Sequence, residues 1–185
     1  MRIECNVLTL RSFDDEAAFF ALLGRFFACP SVRRACGGYP LNDGPRYRWF
    51  VAQCLRDRRV LAFISIEEQP GLVRIRNGYV RPEVRGRGLF RELRRRVLEH
   101  IEQRQATAIA CLPATAAEHL QPHGFVIRGT HGRWVTLEKA PHGTPQSAAA
   151  SASALPRTRR HAASGEGGNA QHAAPDVACV QPVSR

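Results

Sequence analysis

The sequence predicts an α+β fold that is built around a mixed α/β sheet. Two apolar stretches, residues 47–55 and 60–67, are separated by four charged residues and have the pattern of an antiparallel hairpin. Farther along the chain, the patterns alternate in the order strand, loop, helix, strand, helix, strand. The first loop of this series is basic and contains two spaced glycines, and it joins a strand to a clear amphipathic helix. These observations favour strands and helices packed around one sheet.

The amino-terminal elements are predicted as a strand, a helix and a loop. Residues 3–10 alternate weakly, as a strand does, and residues 13–27 are apolar enough for a helix capped by Ser12 or Asp14. Glycines, prolines and an Asn-Asp-Gly triplet in residues 30–45 predict a loop or a broken helix. The hairpin follows this loop and begins a meander that leads into the next strand.

Residues 72–80 form the next predicted strand, in which Asn77-Gly78 indicates a bulge or a close backbone approach. After the basic loop, apolar residues recur every four positions from Leu89 to Ile101, while charged residues occupy the other face. This spacing predicts a helix whose apolar stripe belongs to the core.

The last elements of the predicted fold are shorter. Residues 107–112 are apolar enough for a strand, and residues 113–120 predict a short helix that ends near Gly124. Residues 134–137 predict a final strand, which the chain enters through the Gly-Thr-His-Gly segment of residues 129–132.

Composition predicts two regions of different character. Residues 1–140 carry the periodic apolar patterns, and a chain of 185 residues that is 44% hydrophobic suffices for one domain with a sizeable core. Residues 141–185 are rich in Ala, Ser, Gly, Pro and His without periodicity, which predicts a disordered tail. No apolar run reaches membrane-spanning length and the amino terminus lacks a signal-peptide core, so we expect a cytoplasmic protein without a membrane partner.

Residues 85–90, here called the glycine loop, have the sequence Arg-Gly-Arg-Gly-Leu-Phe and predict a pyrophosphate site. The two glycines let backbone N–H groups approach an anion, and the following helix adds unpaired N–H groups and the positive end of its dipole. A P-loop would require Gly-Lys-Ser/Thr, and a dinucleotide fingerprint would have a small residue where Arg91 stands. The remaining alternative is a solvated basic turn before a helix.

Arg85, Gly88 and Phe90 fall on the pattern R/Q-x-x-G-x-G/A between a strand and a helix. In this respect residues 60–139 resemble the GNAT superfamily of acetyl-CoA-dependent N-acetyltransferases. The resemblance implies the fold of that superfamily, with acetyl-CoA as the cofactor. The cofactor-binding residues that it implies are Tyr79, Val80, Arg85, Gly86, Arg87, Gly88, Leu89 and Phe90.

The chain departs from the family pattern at three positions. Phe90 replaces the usual small residue, Leu120 stands where many members carry a Tyr that protonates the departing thiolate, and Ala114 stands where an Asn is common. The resemblance implies direct transfer of the acetyl group to an amine through a ternary complex. The candidates for proton handling are Glu67, Tyr79 and His119, with His123 as the alternative to His119 near the position of the missing Tyr.

Each of these three candidates also has a plainer interpretation. Glu67 suits a solvated strand end, Tyr79 a core aromatic residue, and His119 a partly exposed helix residue. A second hypothesis is therefore a catalytically silent module of the same fold that binds CoA or an acidic or nucleic-acid partner. The acceptor amine is left open, and the exposed edge of the last strand is compatible with a homodimer.

Charge and cysteine content add two constraints. The formal net charge of +11 comes from 27 basic and 16 acidic residues. Such a balance attracts nucleic acid or an acidic partner, and it also suits the phosphates of CoA. The six cysteines include no Cys-x-x-Cys pair, so neither a metal site nor a disulfide framework is predicted.

Overall fold

The computed structural model describes residues 4–141, and the predicted tail of residues 141–185 lies outside this range except for its first residue. Within residues 4–141 seven strands form one sheet, which confirms the predicted α+β fold with a mixed sheet. The strands are β1 (Cys5–Leu10), β2 (Tyr47–Cys54), β3 (Val60–Gln69), β4 (Leu72–Val80), β5 (Thr107–Pro113), β6 (Val126–His131) and β7 (Trp134–Lys139). The helices are α1 (Glu16–Ala28), α2 (Pro30–Ala35), α3 (Leu89–Gln103) and α4 (Ala114–Ala117), with short 3-10 turns at Pro82–Val84 and Gln121–His123.

The strands lie in the order β1-β2-β3-β4-β5-β7-β6. Strands β1 to β4 form an antiparallel meander, and β5, β7 and β6 are also antiparallel to one another. The two halves meet at β4 and β5, which are parallel and are connected through α3. A parallel pair joined by a helix at the centre of the sheet places the glycine loop at the carboxyl end of β4.

The two central strands pair over only part of their length. Strand β4 pairs with β5 from Leu72 opposite Thr107 to Ile75 opposite Ala110, and the pairing ends there. Residues 76–80 of β4 and residues 111–113 of β5 therefore flank an opening, here called the β4–β5 gap. The gap lies next to the glycine loop.

A β-bulge marks the start of the gap on β4. Gly78 lies opposite Ile64 and Ile75 lies opposite Ile66, so β4 has one more residue than β3 in this interval. The Ser65 hydroxyl accepts hydrogen bonds from the backbone N–H and the side-chain amide of Asn77, each at 3.2 Å. The bulge predicted from Asn77-Gly78 is thus confirmed, and bulges of this kind bend a strand away from its neighbour.

Helices cover the two faces of the sheet. The stripe of α3 packs on one face, where Leu93, Val97 and Ile101 are buried in the larger core cluster. Burial stabilises the fold by about 1.5–3 kcal/mol for each such side chain. Helices α1 and α2 pack on the other face, with Phe19 and Phe63 among the fully buried residues of the second cluster. The gap therefore opens between two well-packed layers.

Three details of the predicted elements are wrong. Helix α1 is capped by Asp15, whose carboxylate accepts from the Ala18 N–H at 2.9 Å, and not by Ser12 or Asp14. Residues 129–131 belong to β6, a strand that the sequence pattern did not reveal. The last strand in the chain, β7, lies between β5 and β6, so the exposed edge belongs to β6 instead.

Candidate functional site

The glycine loop has a backbone conformation that requires its glycines. After the 3-10 turn at Pro82–Val84, Arg85 is extended, and Gly86 and Gly88 have φ angles of 72° and 80°. These angles lie in the left-handed region, which side chains other than glycine rarely adopt. Gly88 is the N-cap of α3 and offers no side chain to the first helical turn. The loop thus exposes its backbone at the helix terminus.

Backbone N–H groups of the glycine loop have no acceptor in the described part of the chain. The Arg85 N–H donates to the Pro82 carbonyl at 3.3 Å, and the Glu92 N–H donates to the Gly88 carbonyl at 3.1 Å. Within residues 4–141, none of the N–H groups of residues 86–91 between these two donors bonds to a carbonyl or a side chain. Six consecutive open donors at the positive end of a helix dipole form an anion site.

Strand β4 turns part of its backbone toward the gap. The Arg81 N–H donates to the Leu61 carbonyl at 2.9 Å, which places this pair in the hydrogen-bonded register of the antiparallel ladder. Because hydrogen-bonded and open pairs alternate, Gly78 and Val80 direct their peptide groups away from β3. The peptide groups of Gly78 and Val80 therefore point into the β4–β5 gap, where β5 no longer pairs with β4.

Two side chains hold carbonyl groups of this strand. The Arg85 Nε donates to the Val80 carbonyl at 3.4 Å, so the first residue of the glycine loop also braces the end of β4. The Cys36 thiol lies 3.6 Å from the Gly78 carbonyl. Burial raises the pKa of Cys36 to about 12, which keeps the thiol protonated and able to donate.

An apolar cavity, here called the α3 cavity, lies between the gap and helix α3. The walls come from β3, β4, β5, α3, α4 and the segment that follows α4. Leu120 is buried in the wall and brings no hydroxyl group to it. The Phe90 ring also lines the cavity and packs against the main core, so it does not cover the glycine loop. The loop's N–H groups therefore stay open despite the larger side chain.

Tyr79 packs on the α1 side of the sheet. Its ring centroid lies 5.5 Å from that of Phe63 and 5.8 Å from that of Phe26. Burial raises the pKa of the phenol, and this outweighs the opposing effect of Arg81. The hydroxyl is therefore protonated at neutral pH, in the state that a proton donor needs.

Glu67, on β3, forms ion pairs with two arginines. Its carboxylate lies 3.5 Å from the Arg76 Nε and 3.8 Å from an Arg46 Nη. Along β3 it is four residues from Phe63, the partner of Tyr79, which corresponds to about 13 Å. Glu67 and Tyr79 share a face of the sheet but are not neighbours.

His119 lies on the opposite side of the sheet from these two residues. It is exposed and lines the α3 cavity next to Leu120. The structure thus brings the cofactor-binding candidates together around the loop and the end of β4, but it does not bring Glu67, Tyr79 and His119 together. Their catalytic roles stay predictions.

Sequence reasoning missed Arg94. Its side chain is half-buried and lines the α3 cavity one helical turn beyond Phe90. Burial lowers the pKa of the guanidinium, and the nearby Arg91 charge adds to this effect. The available signal was a charged residue beside the apolar stripe of α3, in the position one turn after the glycine loop.

Within residues 4–141, no group of three or more His, Cys, Asp or Glu residues is placed to hold a metal ion. In the same part of the chain, no helix has both the length and the apolar character needed to span a membrane.

Comparison with known proteins agrees with this geometry. The combination of a central splayed strand pair and an anion-binding loop is that of an acyl-CoA-dependent acyltransferase. The family model described as "Acetyltransferase (GNAT) family" matches residues 16–125, which is more than half of the chain. The chain belongs to the GNAT family, so the predicted resemblance is confirmed, and the protein is an acyltransferase of a family that uses acyl-CoA.

Solved structures with the same fold have low sequence identity to this chain. Escherichia coli ElaA is 15% identical with a TM-score of 0.59, over 74% of this chain and 99% of that one. An acyl-CoA N-acyltransferase from Pseudomonas aeruginosa is 19% identical with a TM-score of 0.58, over 74% and 100%. The Escherichia coli ribosomal-protein-S18-alanine N-acetyltransferase is 17% identical with a TM-score of 0.56, over 78% and 98%. These likenesses show the fold, whereas a sequence comparison with curated proteins found no match.

Proposed function

We propose that this protein transfers the acetyl group of acetyl-CoA directly to an amine through a ternary complex. The observation that carries the proposal is the run of open N–H groups in residues 86–91, beside the β4–β5 gap. The diphosphate of acetyl-CoA needs several hydrogen-bond donors and positive charge. The arm of acetyl-CoA that carries the thioester needs a narrow apolar passage. The glycine loop, the gap and the α3 cavity offer these features in that order.

The loop's residues have distinct roles in this proposal. The N–H groups of Gly86 to Phe90 donate to the diphosphate oxygens, while Arg85 and Arg87 add charge. The peptide groups of Gly78 and Val80 on β4 accompany the arm into the gap. A β4 amide near Val80 then stabilises the oxyanion that forms when the amine attacks the thioester.

Positioning supplies most of the proposed rate enhancement. Holding the amine and the thioester together contributes about 7–11 kcal/mol, whereas a placed acid or base contributes about 10²–10⁴ in rate. No covalent enzyme intermediate is needed in such a complex. Among the three proton-handling candidates, we assign His119 to the departing thiolate because it lines the α3 cavity.

Calorimetric titration with acetyl-CoA tests the cofactor assignment. We expect the wild-type protein to bind, and we expect Arg85→Ala and Gly88→Glu to weaken binding by about tenfold or more. Gly71→Glu is the matched control, because Gly71 also has a positive φ angle, 69°, but lies in the β3–β4 turn. That control has the same backbone strain and charge, and it should bind acetyl-CoA normally. Absence of binding by the wild-type protein would overturn the assignment.

A silent module is the second candidate function. Leu120 favours it, because the α3 cavity lacks the hydroxyl that many family members place there. Such a module would bind CoA, or a nucleic-acid or acidic partner through the basic surface, in the cytoplasm. Salt-dependent binding to DNA or RNA without thioester cleavage would favour the module, and thioester cleavage with any of a broad panel of amines would exclude it.

A further inference from the structure

We propose that helix α3 carries a second anion site, which binds the 3′-phosphate on the ribose of CoA. The site consists of Arg87, Arg91 and Arg94, here called the arginine stripe, together with His123. This inference rests on the proposed use of CoA and adds a specificity site to it. The backbone N–H groups of the glycine loop are matched to the diphosphate, so the third phosphate of CoA is left to the side chains beyond them.

The arginines of α3 and of the loop before it fall into two groups. Arg95 contacts Glu92 and Glu99, and Arg96 Nε lies 3.0 Å from Glu92. The stripe arginines take part in no ion pair within residues 4–141. The same helix therefore neutralises some of its positive charges and leaves others unbalanced.

The unbalanced charges lie along one line that begins at the glycine loop. Arg91 and Arg94 are three residues apart on α3, a spacing that places side chains on one helix face, and Arg87 lies in the glycine loop just before the helix. A Cβ added to Gly88 would be 3.5 Å from an Arg91 Nη, so this guanidinium lies beside the loop. A groove between β1 and the first half of α3 is lined by all three stripe residues and His123, and also by Glu92, Arg95 and Arg96, which pair with one another.

Electrostatics in the groove favour an anion. Burial lowers the pKa of Arg94, and the positive charge of Arg91 lowers it further. The pKa of His123 is lowered by burial, then by Arg94 and Lys139. In both cases burial is the larger cause and neighbouring positive charge adds to it by repulsion, while the charge of Glu102 opposes the effect on His123. A dianionic phosphate relieves this repulsion, and the planar guanidinium fork matches its oxygens.

The direction of the bound cofactor identifies which anion this is. With its thioester arm in the β4–β5 gap and its diphosphate on the glycine loop, CoA must leave the loop with its adenosine end outside the cavity. The arginine stripe leads outward from the loop along the groove. The 3′-phosphate is the anionic group at that end of the molecule.

Calorimetry with CoA and with 3′-dephospho-CoA tests the proposal. We expect the wild-type protein to bind CoA about tenfold more tightly, and we expect the Arg91→Gln/Arg94→Gln variant to lose this preference with little change for dephospho-CoA. Arg95→Gln/Arg96→Gln removes two arginines of the other group and should keep the preference. Arg91→Gln alone changes only an exposed side chain, and it should reduce the preference without affecting the fold.

The outcomes separate this inference from the proposed function. If the wild-type protein binds both ligands with equal affinity, the 3′-phosphate site is overturned while the cofactor assignment stands. If the stripe variants lower the affinity for both ligands by the same factor, the stripe does not recognise the 3′-phosphate and the inference is also overturned. If the wild-type protein binds neither ligand, the proposed function fails and the inference fails with it.

Discussion

Phe90 and Leu120 show how single residues depart from a family pattern without removing the site. The ring of Phe90 packs against the core, while its N–H remains among the open donors of residues 86–91. Leu120 is buried in the wall of the α3 cavity, away from the glycine loop, and brings no hydroxyl group to that wall. The open donors of the loop and the composition of the cavity wall therefore depend on different side chains.

Replacement of His119 tests its proposed role as a catalytic residue. We expect His119→Ala to lower kcat by about 10²-fold, because a positioned acid contributes on this scale, and to leave acetyl-CoA affinity unchanged. Steady-state kinetics with a reactive amine, together with calorimetry, provide the two readouts. His131→Ala, at an exposed position of β6, is the matched control and should keep full activity. An unchanged kcat in His119→Ala would remove this residue from the mechanism.

At the scale of elements, Glu68 connects three parts of the fold. Its carboxylate accepts a hydrogen bond from the Arg48 Nε on β2 at 3.0 Å and lies 2.5 Å from the His100 Nε2 on α3. Burial disfavours the charged carboxylate most strongly, but the bonds from Arg48 and His100 and the charge of Arg104 outweigh it. The net effect lowers the pKa of Glu68 below its ordinary value of 4.5. This group fixes α3, and hence the helix terminus of the site, on the sheet.

The lowered pKa predicts how stability depends on pH. A carboxylate with a depressed folded-state pKa contributes stability above pH 4.5, and the contribution disappears as the pH falls through the folded-state value. We expect Glu68→Gln to destabilise the protein by about 1–2 kcal/mol at pH 7 and by progressively less at acidic pH. Denaturant unfolding across this pH range measures the difference. A difference that is constant with pH would contradict the role of the ionised carboxylate.

The elements also show what sequence could predict. The four-residue spacing of α3, the glycines of the loop and the bulge at Asn77-Gly78 are local signals, and the structure confirms them. Strand β6 was missed because all six of its residues are exposed, so it has no apolar alternation. The cap of α1 was misplaced because Ser12, Asp14 and Asp15 are all able to cap, and only the backbone geometry selects one.

For the candidate site as well, the sequence could predict the local part and not the long-range part. The predicted cofactor-binding residues all lie within residues 79–90, so their closeness in sequence already places them near one another. The distance between Glu67 and Tyr79, and the side of the sheet on which His119 lies, depend on register and strand order. Arg94 became evident only because α4 and α3 enclose a cavity around it. Long-range geometry of this kind has no local signature in one sequence.

At the scale of the whole molecule, the edge of the sheet is the place where we propose a homodimer. Strand β6 is one of the two edge strands of the sheet, β1 being the other, and Val126 and Ile127 on β6 are 37% and 45% exposed. Exposed apolar edge strands pair with a second strand unless charge prevents it. A dimer through β6 would extend the sheet without covering the glycine loop on β4 and α3.

A charged residue on this edge tests the dimer. We expect sedimentation of the wild-type protein to show a dimer and Ile127→Lys to shift it to a monomer, because an edge lysine opposes strand pairing. The control is Leu55→Lys, since Leu55 is 53% exposed but lies outside β6, and it should remain dimeric. A wild-type monomer at all concentrations tested would contradict the proposal. Measurement at moderate salt screens the net charge of +11.

The crystal structure of the protein with bound CoA is the most direct test of the account. We predict diphosphate oxygens at about 2.7–3.2 Å from backbone nitrogens of residues 86–90, with the thiol end of the cofactor in the β4–β5 gap. Density for the diphosphate at another surface, with the glycine loop bound only to water, would contradict the central claim.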